Sequence, residues 1–171
     1  CQLGKTTVKT TQRKEYISVK AVINELKDKL QDDNVIDYIT LSGSGEPTLN
    51  SGLGEIINGI KELTQIPVAV LTNGSLLWNE KVVHELQNAD LVVPSLDAGN
   101  GQIFNEINRP ADGLTFDKMV QGLIDFSKTF KNGIWLEIFF ADGVNDSDEQ
   151  AQEIARLCGK MRLDKIQLNT V

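Results

Sequence analysis

The stretch of this sequence that most restricts its fold is the continuous apolar run from Val68 to Thr72, which follows Pro67 and ends at Asn73-Gly74. Successive side chains of a strand point to opposite faces of its sheet, so both faces of this strand need to be covered. Strands that are buried on both faces are typical of parallel sheets, on which the connecting helices pack. The run therefore predicts an α/β protein with a parallel sheet.

Helical and strand patterns alternate along the rest of the chain. Good N-cap residues precede four of the predicted helices, at Ser18, Asn79, Thr115 and Ser147. Another helix is predicted over 53–63, and further strands over 38–42, 90–97, 134–140 and 165–170. Residues 1–17 are expected to form a polar, mobile segment, and 98–114 a polar connection with one helical turn. Alternation of this kind requires parallel strands with right-handed crossovers, so a doubly wound sheet and a full or partial barrel both remain open.

The composition predicts one globular domain spanning residues 1–171, because 40% of the residues are hydrophobic and 24% are charged. The net charge of -7 gives no support to nucleic-acid binding. No apolar run approaches the length of a membrane span. The two cysteines, Cys1 and Cys158, form no disulfide framework, so a reducing, cytoplasmic setting is expected. The chain has no starter methionine, and its first helix has no strand before it, so we expect an incomplete domain.

The turn from Gly43 to Pro47 follows a short apolar run and carries a single carboxylate, Glu46. Gly43 and Gly45 allow another molecule to approach the main chain closely. Pro47 restricts the residue before it to extended conformations, so the carboxylate is held in a fixed direction. An acidic group in this position suits the ammonium group of a ligand. The alternative interpretation is an ordinary strand-to-helix turn with an exposed glutamate.

Polar residues also follow the other predicted strands, and in either architecture that edge of the sheet binds ligands. They are Asn73, Ser95, Asp97, Asn145 and Asp146. A further carboxylate, Glu137, stands inside an aromatic-rich strand, where an isolated charge is costly unless it is paired. It is therefore expected to contact a ligand or to belong to a buried polar network, rather than to lie on the wet face of an alternating strand.

Several kinds of site are disfavoured by the sequence. His84 is the only histidine, which argues against a histidine-rich metal site and against a Ser-His-Asp arrangement. Cys158 lies on the apolar face of the last predicted helix and is expected to be a small buried hydrophobe. The turn at Gly43 contains neither a Walker-type lysine nor the third glycine of a dinucleotide fingerprint.

The order of the short motifs resembles the radical S-adenosylmethionine (radical SAM) superfamily, in particular its branch of iron-sulfur oxidoreductases that includes the wyosine-base tRNA synthetases. The similarity covers nearly the whole chain. It rests on Cys1-Gln2-Leu3-Gly4-Lys5, Leu41-Ser42-Gly43-Ser44-Gly45-Glu46-Pro47, Leu71-Thr72-Asn73-Gly74, Ser95-Leu96-Asp97, Asn108-Arg109-Pro110, Gly143-Val144-Asn145-Asp146 and the segment from Lys165 to Val171. The fold that the resemblance implies is a six-stranded partial TIM barrel, with its first strand missing here and the chain ending at its last strand.

The resemblance also implies roles for individual residues. Cys1 would be the third cysteine of the motif whose thiolates hold a 4Fe-4S cluster. Gly43, Gly45 and Glu46, with Ser44 as an inserted departure and Pro47 after them, would receive the SAM ammonium. Further SAM contacts would come from Ser95 and Asp97 at the ribose, from Asn73, and from Glu137 near the ribose or the methionine carboxylate. Arg109 is a further candidate, for a carboxylate or phosphate of the substrate.

The activity implied is reductive cleavage of SAM to a 5′-deoxyadenosyl radical, which abstracts hydrogen from an unknown substrate. That substrate could be a small molecule, a peptide or a modified RNA base, and the electron donor a flavodoxin or ferredoxin. Two of the three cluster cysteines are absent, and one thiolate cannot hold a cubane cluster, so this chain alone is expected to carry no cluster and to be inactive. Two rivals remain open: a non-catalytic α/β ligand-binding domain, and a partial barrel that binds a phosphorylated metabolite.

Overall fold

The computed structural model describes Thr6, residues 8–31 and residues 35–170. Within these residues, five strands form one parallel sheet in the order β1-β2-β3-β4-β5. The strands are β1 (Ile39–Leu41), β2 (Val68–Thr72), β3 (Leu91–Pro94), β4 (Gly133–Phe140) and β5 (Lys165–Thr170). The helices are α1 (Val19–Lys29), α2 (Leu53–Leu63), α3 (Glu80–Leu86), α4 (Gly101–Ile107), α5 (Phe116–Thr129) and α6 (Asp148–Cys158), with a short 3-10 turn over Pro47–Leu49.

The strand order decides between the two architectures that the sequence left open. A doubly wound sheet reverses its strand order at a switch point. Here each strand pairs with the next one in the chain, from β1 to β5. The fold is therefore an α/β partial barrel, as the resemblance implied.

The curvature of the sheet is visible in a contact between two aromatic rings. Tyr38, which precedes β1, meets Trp135 of β4 edge to face, with ring centroids 6.3 Å apart. In a flat sheet, strands separated by three spacings would lie roughly 14 Å apart. The contact shows that the sheet curls toward the face that carries these rings.

The two faces of the sheet are packed differently. Val68, Val70 and Val92 face the helices and belong to the main core. On the opposite face, Ala69, Leu91 and Val93 form a separate small cluster against which Trp135 packs. The side chain of Leu71 on that face is 38% exposed. The inner face is therefore apolar but open to a ligand toward the carboxyl ends of its strands.

The helix starts agree with the sequence at most positions. The N-caps predicted at Ser18, Asn79, Thr115 and Ser147 are confirmed, since each side chain accepts a hydrogen bond from the first turn of its helix. The connection 98–114 holds more structure than expected, because Asn100 caps the seven-residue helix α4. None of the helices in the described ranges is long and apolar enough to cross a bilayer.

The expectation of a mobile N-terminal segment is wrong for residues 13–17. Lys14 pairs with Asn50 in an isolated parallel bridge, with its N–H on the carbonyl of Leu49 at 3.1 Å and its carbonyl on the N–H of Ser51 at 2.9 Å. The Asn50 amide also donates to the carbonyl of Ile17 at 3.1 Å. Helical or strand periodicity does not reveal long-range hydrogen bonds of this kind.

Candidate functional site

The carboxylate of Glu46 is held at the edge of the sheet by four hydrogen bonds. Its Oε1 atom accepts from the Thr48 N–H at 3.1 Å, from the Thr48 hydroxyl at 2.6 Å and from the Thr72 hydroxyl at 2.6 Å. Its Oε2 atom accepts from the Asn73 N–H at 2.7 Å. The half-buried side chain thus links the turn after β1 to the end of β2.

This arrangement leaves one oxygen of Glu46 with spare capacity. A carboxylate oxygen has two lone pairs, and among the described residues Oε2 accepts a single hydrogen bond. The neighbouring turn from Ser42 to Gly45 is exposed, and a Cβ built on Gly45 would touch nothing within 4 Å. A cationic group could therefore approach Oε2 beside open main chain.

Asn73 occupies the edge mainly through its backbone. Its N–H holds Glu46, while its side-chain Oδ1 accepts from the Ser75 N–H at 2.9 Å. The next residue, Gly74, has φ of +73°, a conformation that favours glycine, and its N–H donates to the Thr72 hydroxyl at 3.1 Å. Asn73 is exposed at the site, but its side chain caps a turn.

Glu137 belongs to a polar group that spans three strands on the inner face. The Ser95 hydroxyl donates to Oε2 of Glu137 at 3.3 Å, and the Asn169 amide donates to Oε1. The Leu96 N–H donates to the Glu137 carbonyl at 2.9 Å. The half-buried carboxylate is thus paired with neutral donors, as the interpretation of a polar network required.

Asp97 lies below this edge and is 1% exposed. Its Oδ1 atom accepts from the Phe139 N–H at 3.0 Å and its Oδ2 from the Asn108 amide at 3.1 Å. The Asn145 amide joins the same network by donating to the carbonyls of Asp97 and Phe139, both at 2.7 Å. Burial raises the pKa of Asp97 above its usual 3.8, against the opposing effect of the Phe139 hydrogen bond.

Arg109 follows α4 and stands between Asn108 and Pro110. Its φ is +47°, in the left-handed region, immediately before Pro110. It lines a cleft of about 380 Å³ together with Lys9, Asn105 and Asp112. The neighbouring residue Asn108 donates to Asp97 at 3.1 Å, and the predicted contact of Arg109 with a carboxylate or phosphate of the substrate stays a prediction.

Of the two cysteines, only Cys158 lies among the residues that the structure describes. Cys1 lies outside the described residues, and so its predicted role as a cluster ligand stays a prediction. Cys158 is confirmed as a buried residue of α6, and burial raises the pKa of its thiol. Across residues 8–31 and 35–170, no group of three or more His, Cys, Asp or Glu side chains could hold a metal ion. The described residues therefore do not form a cluster site.

Several residues of the site were not predicted by the sequence patterns. Thr48 and Thr72 supply both hydroxyls to Glu46, and Asn108 holds Asp97. The position of Thr72 at the end of the apolar run, one residue before Asn73, was a usable signal. No sequence pattern marks Thr48, because its hydroxyl reaches Glu46 only once the 3-10 turn over Pro47–Leu49 has formed.

The fold and the polar edge define a class of protein: an α/β partial barrel with a group of polar side chains at the carboxyl ends of its parallel strands. The family model described as the radical SAM superfamily matches residues 1–157. This chain belongs to the radical SAM superfamily.

The chain is also similar to individual proteins of known sequence and to solved structures that share its fold. The chain is 46% identical over 170 residues to a Brachyspira hyodysenteriae protein named GTPase Obg, covering 99% of this chain and 25% of that protein. It is 31% identical to a UPF0026 protein of Methanocaldococcus jannaschii, covering 99% of this chain and 53% of that protein. A crystal structure of a domain of pyruvate-formate lyase-activating enzyme from Bacteroides vulgatus matches with a TM-score of 0.60 and 19% identity, covering 76% of this chain and 78% of that one. The chain thus spans about half the length of its UPF0026 relative.

SAM, the ligand that this superfamily implies, fits the Glu46 site. Its ammonium group requires an acceptor, and Oε2 of Glu46 has a lone pair without a donor among the described residues. Its ribose requires polar groups on the neighbouring strands, and Ser95 and Glu137 provide a hydroxyl and a carboxylate there. Asp97 fits a supporting role better than direct contact, since it is only 1% exposed.

Proposed function

We propose that this chain forms the SAM-binding part of a radical SAM enzyme that cleaves SAM reductively. The 5′-deoxyadenosyl radical that bound SAM supplies would remove hydrogen from a substrate. The observation that carries the proposal is the fixed carboxylate of Glu46, whose Oε2 accepts one hydrogen bond from the described residues and which directly follows an exposed glycine turn. An oxidoreductase of this kind would draw its electron from a donor such as flavodoxin or ferredoxin and would work in the cytoplasm.

The residues of this chain would contribute binding and orientation. Oε2 of Glu46 would accept a hydrogen bond from the ammonium group, while Thr48 and Thr72 keep the carboxylate from rotating. Ser95 and Glu137 would contact the ribose from β3 and β4. Asp97 would act as a positioning residue, because its carboxylate holds the Phe139 N–H and the Asn108 amide at the base of the site.

We propose that the substrate is a small molecule, a peptide or a modified RNA base. The net charge of -7 favours the first two over a nucleic acid. We place Cys1 as one ligand of the family's cluster and propose that this chain alone does not hold that cluster. Stable cluster absorbance after reconstitution of this chain with iron and sulfide would contradict that part of the proposal.

The experiment that tests the proposed function is a calorimetric titration of SAM into the complete gene product that carries this sequence. Glu46→Gln keeps the size of the side chain but removes its charge. Loss of a charge-assisted hydrogen bond costs about 1.5–3 kcal/mol, so the affinity should fall roughly 10- to 150-fold. Glu62→Gln, an exposed residue of α2, is the matched control and should leave the affinity unchanged.

Three outcomes of binding and turnover measurements would contradict the proposal. Equal SAM affinity in the Glu46→Gln variant and the wild type would contradict the proposed contact between Glu46 and the ammonium group. Binding of inorganic phosphate, without binding of SAM, would favour the partial barrel that takes a phosphorylated metabolite. If SAM binds but no 5′-deoxyadenosine forms with dithionite as the reductant, the non-catalytic ligand-binding domain is the better interpretation.

A further inference from the structure

The guanidinium group of Arg13 packs, with little exposure to solvent, against the back of the turn that carries Glu46. Its Nε–H donates to the Thr48 carbonyl at 2.8 Å, and Nη2 donates to the Asn50 carbonyl at 3.0 Å. The carboxylate of Glu85 on α3 receives the other two bonds, from Nη1 at 3.1 Å and from Nη2. The side chains of Arg13 and Glu85 are each 11% exposed.

A single residue, Thr48, separates this ion pair from the Glu46 carboxylate. The carbonyl of Thr48 accepts from Arg13, while its N–H and hydroxyl both donate to Oε1 of Glu46. Thr48 is fully buried. Any rotation of the 3-10 turn about Thr48 would therefore break bonds on both sides of it.

The ion pair also joins the two elements that frame the site. Arg13 lies in the segment that pairs with Asn50, whereas Glu85 lies on α3, the helix that follows β2. Glu46 itself bridges the turn after β1 to Thr72 and Asn73 at the end of β2. The same two parts of the fold are thus connected twice, once at the site and once behind it.

The chemistry of a buried Arg–Glu pair favours a positioning role over a purely stabilising one. Desolvation of two charges offsets most of their attraction, so such a pair contributes little net stability. A bidentate guanidinium–carboxylate contact instead fixes the orientation of the two side chains relative to each other, because both groups are planar and their hydrogen bonds are parallel. Lysine could not reproduce this geometry.

From these contacts we infer that Arg13, held by Glu85, is a positioning residue that aims the Glu46 carboxylate at the ammonium group of the ligand. The inference rests on the proposed function, since it assigns Arg13 to the same SAM site. It places a determinant of ligand affinity in the N-terminal segment, on a residue that touches no part of the ligand.

A double-mutant cycle on the complete gene product tests this inference, with SAM affinity measured by calorimetry. The variants are Arg13→Met, Glu46→Gln and the pair combined. If Arg13 acts through Glu46, Arg13→Met should weaken SAM binding about tenfold in the presence of Glu46 and less than about twofold in the Glu46→Gln background. A general structural role would give the same loss in both backgrounds, and that result would overturn the inference.

Two further variants keep the outcome readable. Arg13→Lys retains the positive charge but not the paired N–H groups of the guanidinium. It should weaken SAM binding in the presence of Glu46 and have little effect in the Glu46→Gln background. If circular dichroism shows that Arg13→Met does not fold, Arg13→Lys takes its place in the cycle. Glu85→Gln should produce a smaller loss with the same dependence on Glu46. Unchanged affinity in Glu46→Gln alone would refute the proposed function, whereas a loss there with none in either Arg13 variant would refute only the role of Arg13.

Discussion

The Thr72 hydroxyl donates a 2.6 Å hydrogen bond to Oε1 of Glu46, joining the last residue of β2 to the turn that follows β1. The hydroxyl also accepts from the Gly74 N–H at 3.1 Å, so it belongs to both turns at once. Thr72 is 4% exposed, and its bond to a charged acceptor is shielded from water. The end of β2 therefore contributes, together with the 3-10 turn at Thr48, to fixing the position of the Glu46 carboxylate.

Replacement of Thr72 by valine keeps the shape of the side chain and removes the hydroxyl. The variant should unfold with a free energy about 1.5–3 kcal/mol lower than that of the wild type, because a hydrogen bond to a carboxylate is lost. Urea denaturation monitored by circular dichroism measures this difference. Thr40→Val is the matched control, since Thr40 is exposed in β1 and its hydroxyl makes no hydrogen bond within the described residues. Equal effects of the two substitutions would show that the Thr72 bond contributes nothing.

The raised pKa of Asp97 predicts a particular dependence of stability on pH. Because burial favours the protonated form, the folded state binds this proton more tightly than the unfolded state. The resulting stabilisation is fully present below pH 3.8, the usual pKa, and is lost as the pH rises through the raised value in the folded protein. Ionised Asp97 thus lowers stability at neutral pH.

Comparison of the wild type with Asp97→Asn isolates this contribution. Asparagine cannot titrate, and its oxygen can still accept from the Phe139 N–H, although the bond from Asn108 is lost. The difference in unfolding free energy should therefore shift in favour of the variant as the pH rises above 3.8, and level off above the raised pKa. A difference that does not change with pH over that range would contradict the assignment.

Gly122 of α5 lies against the main chain of Trp78. A Cβ at this position would come within 2.6 Å of the Trp78 nitrogen and 2.8 Å of its Cα. Gly122→Ala should therefore lower the unfolding free energy by about 1–3 kcal/mol, as overpacking against backbone does. In the control Gly59→Ala, the new Cβ meets only the movable end of the Ile23 side chain, and better helix propensity offsets the contact. Similar losses in both variants would show that the backbone contact is not the cause.

Much of the fold could be predicted from the sequence because its signals are local. The run at Val68 to Thr72 is apolar at every position but the last, which is sufficient to identify a strand buried in a parallel sheet. The cap residues Ser18 and Thr115 act on N–H groups within three positions of themselves. The partial barrel was one of two possibilities, since alternation fixes parallel strands but does not determine their order in space.

The site was predicted less completely because its bonds span long distances in sequence. Glu46 was identified from Gly45 and Pro47 beside it, but its partner Thr72 lies 26 residues away. Arg13 contacts Glu85 across 72 residues, and no periodic pattern marks either residue. The resemblance implied that Asp97 contacts SAM. In the structure Asp97 is 1% exposed, and its carboxylate accepts hydrogen bonds from the Phe139 N–H and the Asn108 amide.

Recognition of the SAM ammonium group by Glu46 is tested most directly by a comparison of two ligands. 5′-Methylthioadenosine has the adenine, the ribose and the sulfur but no amino acid group. In calorimetric titrations of the complete gene product, Glu46→Gln should weaken SAM by about tenfold or more and leave 5′-methylthioadenosine within about twofold of the wild type. Equal losses for both ligands, or no loss for either, would contradict the claim.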